Sequence, residues 1–257
     1  MSGRWILLRG LTRESGHWGD FPARLRERLG GAQVVALDLP GNGALNQLAS
    51  PTRIEAITSH CRAQVRALGI APPYHLLAMS MGAMVALDWA GRDPQAIAGC
   101  VLINTSLQRV DPWHRRLRPA NYPALLRLAL GRGDAADRER AVLRLTSRNP
   151  DAGAAVLDAW AALRRSRPVS GRNALRQLCA AARFRPGAHA PAVPLLVLAS
   201  LRDALVDVRC STGLAQRWHA DIALHPDAGH DLPLDDAAWV AEQVARWLES
   251  VPRRVAD

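Results

Sequence analysis

Lysine is absent from this chain of 257 residues, and all 33 basic residues are arginine. A genome rich in G and C favours arginine and alanine codons, which accounts for the choice of cation but not for where the charge sits. Cysteine is scarce as well. Cys61, Cys100, Cys179 and Cys210 are far apart and form no paired spacing. That excludes a disulfide framework and a cysteine metal site, and leaves free thiols in a reducing cytoplasm. No apolar run approaches the roughly 20 residues of a membrane span. The opening MSGRWILL lacks the basic region, long apolar stretch and cleavage site of a signal peptide. These absences predict a cytoplasmic protein with no membrane contact. No internal repeat and no low-complexity linker interrupts the chain. Hydrophobic residues make up 49% and charged residues 22%, so the chain buries a full core and is not disordered.

What is present alternates between strand and helix signals. Short apolar runs predict strands at Trp5 to Leu8, Gln33 to Leu37, Tyr74 to Met79, Ala96 to Ile103, Pro194 to Ala199 and Ala220 to Leu224. Between them, Asp20 to Leu29, Thr52 to Leu68 (capped by Ser50 or Thr52) and Ala237 to Glu249 carry helical periodicity. Continuous apolar strands separated by helices imply an α/β fold with a mostly parallel sheet buried on both faces. One segment breaks the alternation. Residues 108–193 hold helical patterns and no strand, with helices expected at Pro123 to Leu130, Ala135 to Thr146, Ala152 to Arg165 and Ser170 to Ala182. The domain reading is a core of residues 1–107 and 194–257, with a helical cap, 108–193, inserted in it.

The chemistry concentrates at Ser80. It lies between the strand YHLLAM and the helix GAMVALDWA, within Ala78-Met79-Ser80-Met81-Gly82. Small residues two positions either side permit a strained strand-to-helix turn that lifts the hydroxyl clear of the sheet, at a helix N-terminus. Such a serine needs a base and an orienting carboxylate. Asp203 follows the fifth strand and His230 follows Gly229 after the sixth, both on the rim where ligands of parallel sheets bind. Asp207 and Asp227 are alternative acids. His75 reads as a packed strand residue.

With these residues, the chain resembles the α/β-hydrolase superfamily over nearly its whole length. The matching pieces are Arg9-Gly10 through Trp18, Asp38-Leu39-Pro40-Gly41-Asn42-Gly43, Ser80-Met81-Gly82, Pro194 to Ser200 with Asp203, and Gly229-His230. Within the superfamily it is most similar to compact capped esterases such as the pimeloyl-carrier-protein methyl esterase. The resemblance implies Ser80 as nucleophile, His230 as general base and acid, and Asp203 as orienting acid. It implies an oxyanion hole from the backbone amides of Leu11 and Met81, with no metal and no cofactor. The sequence departs from the family in three places. Arg9 stands where a histidine is usual, and could contact an anionic substrate. Ala78 and Ala83 replace glycines. The two leading edge strands usual in the family are also expected to be missing. His17, Trp18 and Trp113 are candidates to line the pocket, each with a competing reading as packing.

The implied reaction is hydrolysis of a small-molecule ester or thioester through an acyl-enzyme. Carbon–carbon hydrolysis or lyase chemistry on the same scaffold, or ligand binding without turnover, are the alternatives. The charge adds to this reading. Residues 108–193 carry 17 Arg against 6 acids, whereas the remainder carries 16 Arg against 17 acids. A positive cap suits an acidic partner, such as an acyl carrier protein, an acyl-CoA or a small carboxylated ester; a solvated cap surface with no partner is the competing reading. Arg115, Arg116 and Arg118 near the cap entrance are the candidate contacts, and Arg164, Arg165 and Arg167 form a second knot. Nucleic acid is excluded, because no recognition motif or aromatic interleaving accompanies the charge.

Overall fold

The computed structural model describes residues 3–108, 110–129 and 133–251. Six strands are present among them: β1 (Arg4–Leu8), β2 (Gln33–Leu37), β3 (Tyr74–Met79), β4 (Ile97–Ile103), β5 (Leu195–Ser200) and β6 (Asp221–His225). They form one sheet in the order β2-β1-β3-β4-β5-β6, parallel throughout. The central strands are apolar along their length because helices cover both faces. His75 is the exception within β3. It stacks on Trp5 at 4.6 Å, and burial pulls its pKa down to about 4, so the ring packs as a neutral group.

Side chains alternate between the two faces. Trp5, Leu7, Leu77, Val101 and Leu198 join one core layer with α1 (Phe21–Arg28) and α11 (Ala237–Ser250). Ile6, Leu8, Leu76, Leu102 and Val197 join the other with α2 (Ile54–Ala67), α3 (Met81–Arg92) and α9 (Val208–Trp218). Cys61, Cys100 and Cys210 are buried free thiols, and burial raises the Cys61 thiol to about 12. None of the described helices is long and apolar enough to cross a membrane.

Between β4 and β5 the described residues form helices and no strand: α4 (Trp113–Arg116), α5 (Tyr122–Ala129), α6 (Ala135–Thr146), α7 (Pro150–Ser166) and α8 (Gly171–Arg183). The last three start at side-chain caps, where Asp134, Asn149 and Ser170 accept from Asp137 N, Ala152 N and Asn173 N. Leu130, expected to end the second of these helices, lies outside the described residues, as do Arg109 and Arg132. The cap expected for α2 is corrected. Its N-cap is Arg53, which makes no side-chain cap bond. Ser50 instead donates its amide to Asn173 of α8, 2.9 Å away. A short α10 (Leu232–Asp235) follows β6.

Candidate active site

At the end of β3 the chain reverses into α3 within one residue. Ser80 takes φ 54° and ψ −118°, a conformation a non-glycine residue holds only under constraint. The constraint is visible. Ser80 N donates to Ile103 O (2.9 Å), and Thr105 Oγ1 donates to Ser80 O (3.0 Å). Gly82 has no alternative, since a Cβ there would collide with Leu8 O and come within 2.6 Å of Arg9 O. At Gly10 a Cβ would come within 3.1 Å of Ser80 Cβ, so the loop after β1 passes directly over the serine. Ala78 is fully buried between β1 and β4, and its methyl group is accommodated in place of the usual glycine.

His230 Nδ1 lies 2.7 Å from Asp203 Oδ2. The other carboxylate oxygen accepts from Leu205 N (2.8 Å) and Val206 N (3.0 Å), which fixes the acid. Of the three acids weighed from sequence, Asp203 is the one that touches His230. Asp207 caps α9 and pairs with Arg209, while exposed Asp227 faces Arg202. Burial pulls the His230 pKa down, but the Asp203 charge and hydrogen bond, helped by Asp231, outweigh it and leave it raised. With Nδ1–H on Asp203, Nε2 is the nitrogen left to take a proton. Ser80 Oγ makes no hydrogen bond among the described residues; such contacts commonly tighten only when substrate binds.

One buried residue that sequence reasoning missed joins these pieces. Asn104, at φ 46°, follows β4. Its Nδ2 donates to His230 O (2.8 Å), Gly229 O (3.2 Å) and Ser200 Oγ (3.0 Å), and its Oδ1 accepts from Ser200 N. Its neighbours Ile103 and Thr105 hold Ser80. The polar Asn104-Thr105-Ser106 just past an apolar strand was the available signal.

After β1, Gly10 to Arg13 form a tight turn, closed by Arg13 N donating to Gly10 O (3.3 Å), with Thr12 left-handed at φ 58°. Leu11 N has no acceptor among the described residues. Met81 N has none either, being the first amide of α3. Two unsatisfied amides beside a strained serine are what an oxyanion site requires.

The remaining candidates have other occupations. Arg9, expected to contact an anionic substrate, is instead buried and forms a bidentate pair with Asp231 at 3.0 and 2.6 Å. Trp18 packs under the Arg9 guanidinium and against Phe21. His17 accepts from Glu14 N and meets Trp160 of α7 edge-on. Burial, with Arg13 and Arg9 nearby, drives its pKa far down and keeps it neutral. Trp113 is 67% exposed on the outer surface and contacts His114, which does not suit a pocket wall. Arg116 donates to Ala181 O and Ala182 O at the end of α8, and Arg118 faces Asp207 at 3.8 Å. Arg115 is half-buried, and its carbonyl accepts from Asp207 N. Arg164 pairs with Glu139 and Arg167 with Glu14. Arg116 and Arg164 thus find their partners within residues 108–193, whereas Arg118 and Arg167 tie that segment to the rest of the chain.

A depression of about 300 Å³, lined by Ala190, Val193, Trp218 and His219 among others, lies at the opposite, amino-terminal ends of β5 and β6 and touches none of these site residues.

No curated protein matches the chain in sequence. Among solved structures, it is similar to an enol-lactonase from Burkholderia xenovorans, 22% identical, covering 97% of this chain and 92% of that one with a TM-score of 0.77. An esterase from Rhodococcus sp. gives 21% identity, 98% and 92% coverage and a TM-score of 0.77. A putative non-heme bromoperoxidase from Mycobacterium tuberculosis gives 19%, 98%, 94% and 0.76. At these identities the likeness is one of fold. The sequence profile of the alpha/beta hydrolase family matches residues 5–243, nearly the whole of the sheet and its covering helices, and the chain belongs to that family.

Proposed function

We propose that this protein is a serine hydrolase of carboxylic esters or thioesters. Ser80 attacks the carbonyl while His230 Nε2 takes its proton. Asp203 orients the imidazole and stabilises its charge. The Leu11 and Met81 amides stabilise the tetrahedral oxyanion. The leaving group departs with the proton returned by His230; His230 then takes a proton from water as it attacks the acyl carbonyl, and gives that proton to Ser80 Oγ as the carboxylic acid is released.

The single observation that carries this reading is the buried His230–Asp203 contact of 2.7 Å on the rim where a strained Ser80 stands at φ 54°. The esterase and enol-lactonase neighbours, proteins named for splitting ester and lactone bonds, agree with it. A cytoplasmic location is part of the proposal, supported by the four free cysteines. An acidic or carrier-linked substrate remains part of the proposal, carried by the charge excess of residues 108–193 and not by Arg116 or Arg118, which have partners within the chain. Hydrolysis of a p-nitrophenyl ester by the wild type and by Ser80→Ala tests it. The reading expects turnover in the first and none above background in the second. Equal turnover would sink it.

A further inference from the structure

The cap is bolted to the turn that carries Leu11, and the bolts are polar groups in the interior. Gln177 of α8 is fully buried, and its Oε1 accepts from Thr12 N at 2.8 Å. Its Nε2 donates to Asn42 Oδ1 at 2.7 Å and to Pro40 O at 3.4 Å. Asn42, also fully buried, passes the relay on, donating from Nδ2 to Arg13 O at 2.9 Å. Each amide has one orientation that satisfies this chain: an oxygen toward Thr12 N forces a nitrogen toward Asn42, and that forces a nitrogen toward Arg13 O. The two side chains thus grip the turn at Thr12 N and Arg13 O together.

The rest of the loop rests on the cap as well. Arg13 pairs with Glu139 of α6 at 2.6 Å and lies over Trp160 of α7 at 4.7 Å. Glu14 pairs with Arg167, and a Cβ at Gly16 would come within 2.8 Å of Leu163 of α7.

The turn needs such a grip. Thr12 occupies its third position with φ 58°, where turns of this kind favour glycine or asparagine. A β-branched residue there is strained. Without an acceptor for Thr12 N, the peptide between Leu11 and Thr12 can rotate to relieve that strain. The neighbouring Gly10–Leu11 peptide, which bears the Leu11 amide, would then move with it.

We infer that Gln177 is a positioning residue: acting from the cap through Thr12, it holds the Leu11 amide where the oxyanion forms. The cap is therefore part of the catalytic template as well as a cover. This rests on the ester-hydrolase reading above, in which Leu11 donates to the oxyanion.

The test is steady-state hydrolysis of a p-nitrophenyl ester by Gln177→Met, with thermal unfolding as the check on folding. The Met variant fills the same volume without an acceptor. Its kcat should fall by about 10²-fold, the usual consequence of a donor misplaced by about an ångström, with KM within about twofold. Thr12→Gly in the Gln177→Met background should restore much of that kcat, because glycine holds φ 58° without the clamp. A purely structural role for Gln177 in cap packing would not be rescued in this way.

Gln177→Glu supplies a second reading if the Met variant is not recovered folded. While its carboxyl is protonated it can still accept from Thr12 and donate to Asn42; once ionised it repels Asn42 Oδ1. Its kcat should acquire a descending limb as pH rises, absent from the wild type. The inference is overturned by a folded Met variant with wild-type kcat, by a loss that Thr12→Gly leaves untouched, or by a Glu variant whose kcat and pH dependence match the wild type. Loss of the underlying reading looks different, since Ser80→Ala would then retain wild-type turnover.

Discussion

Replacing Arg9 with methionine should destabilise the protein severely, and the size of the effect follows from the geometry. Arg9 and Asp231 are 2% and 3% exposed at the side chain and meet bidentately. Removing one partner of a buried pair strands the other charge and costs about 3–5 kcal/mol. The Arg9 guanidinium also lies 4.8 Å from the Trp18 ring centroid, a contact worth about 2 kcal/mol at a desolvated site. The sum is a large part of the roughly 5–15 kcal/mol that holds a typical domain together. The pair itself is imperfect, because Arg9 Nε is buried without a partner among the described residues. An apolar replacement of both residues should therefore restore most of what the single substitution removes. The assay is equilibrium urea unfolding of wild type, Arg9→Met, Asp231→Leu and Arg9→Met/Asp231→Leu. Either single variant should lose several kcal/mol, and the double variant should be more stable than both. A single variant within about 1 kcal/mol of wild type, or a double variant as unstable as the sum of the singles, would refute the argument.

The raised His230 pKa places the acid limb of kcat/KM above the ordinary histidine value of about 6.5, because Nε2 must be free to act as base; a limb at or below 6.5 contradicts it. By linkage, the stabilisation from His230 is complete below its unfolded pKa and is lost as pH rises through the higher folded value, which urea unfolding across pH would register. Asp203→Asn should lower kcat by about 10³–10⁴-fold and move the acid limb down, since burial then acts on His230 without the opposing carboxylate. Gly82→Ala should abolish activity and cost about 1–3 kcal/mol, because its methyl group meets the carbonyl oxygens of Leu8 and Arg9 in a backbone that cannot move aside; soluble variant with normal turnover would count against the elbow geometry.

Most of the scaffold was legible because its signals are local. The strands were apolar runs ended by turn residues, and their observed limits differ from expectation by a residue or so. The positions of Ser80, Asp203 and His230 on one rim followed from strand direction. Arg9 was misread because an ion pair leaves no local trace. Arg9 finds Asp231 across 222 residues, and only the fold brings them together. Without that, an arginine beside a reactive loop reads as a substrate contact. Trp113 was ambiguous for the same reason, since exposure is decided by what packs above it. The polar clamps did leave a faint mark. In α6, Glu139 stands four residues before buried Leu143, on the inward stripe. In α8, buried Asn173, Gln177 and Ala180 share one helix face. A charged or amide residue on an inward stripe reads as a flaw in amphipathicity until its partner is known.

The central claim is that Ser80 is an activated nucleophile, and covalent capture addresses it most directly. Incubation with a fluorophosphonate followed by intact-mass and peptide mass spectrometry should give a single adduct on Ser80, lost in Ser80→Ala and strongly slowed in His230→Ala. A wild-type protein that stays unmodified while folded, or an adduct on a residue other than Ser80, would contradict the account.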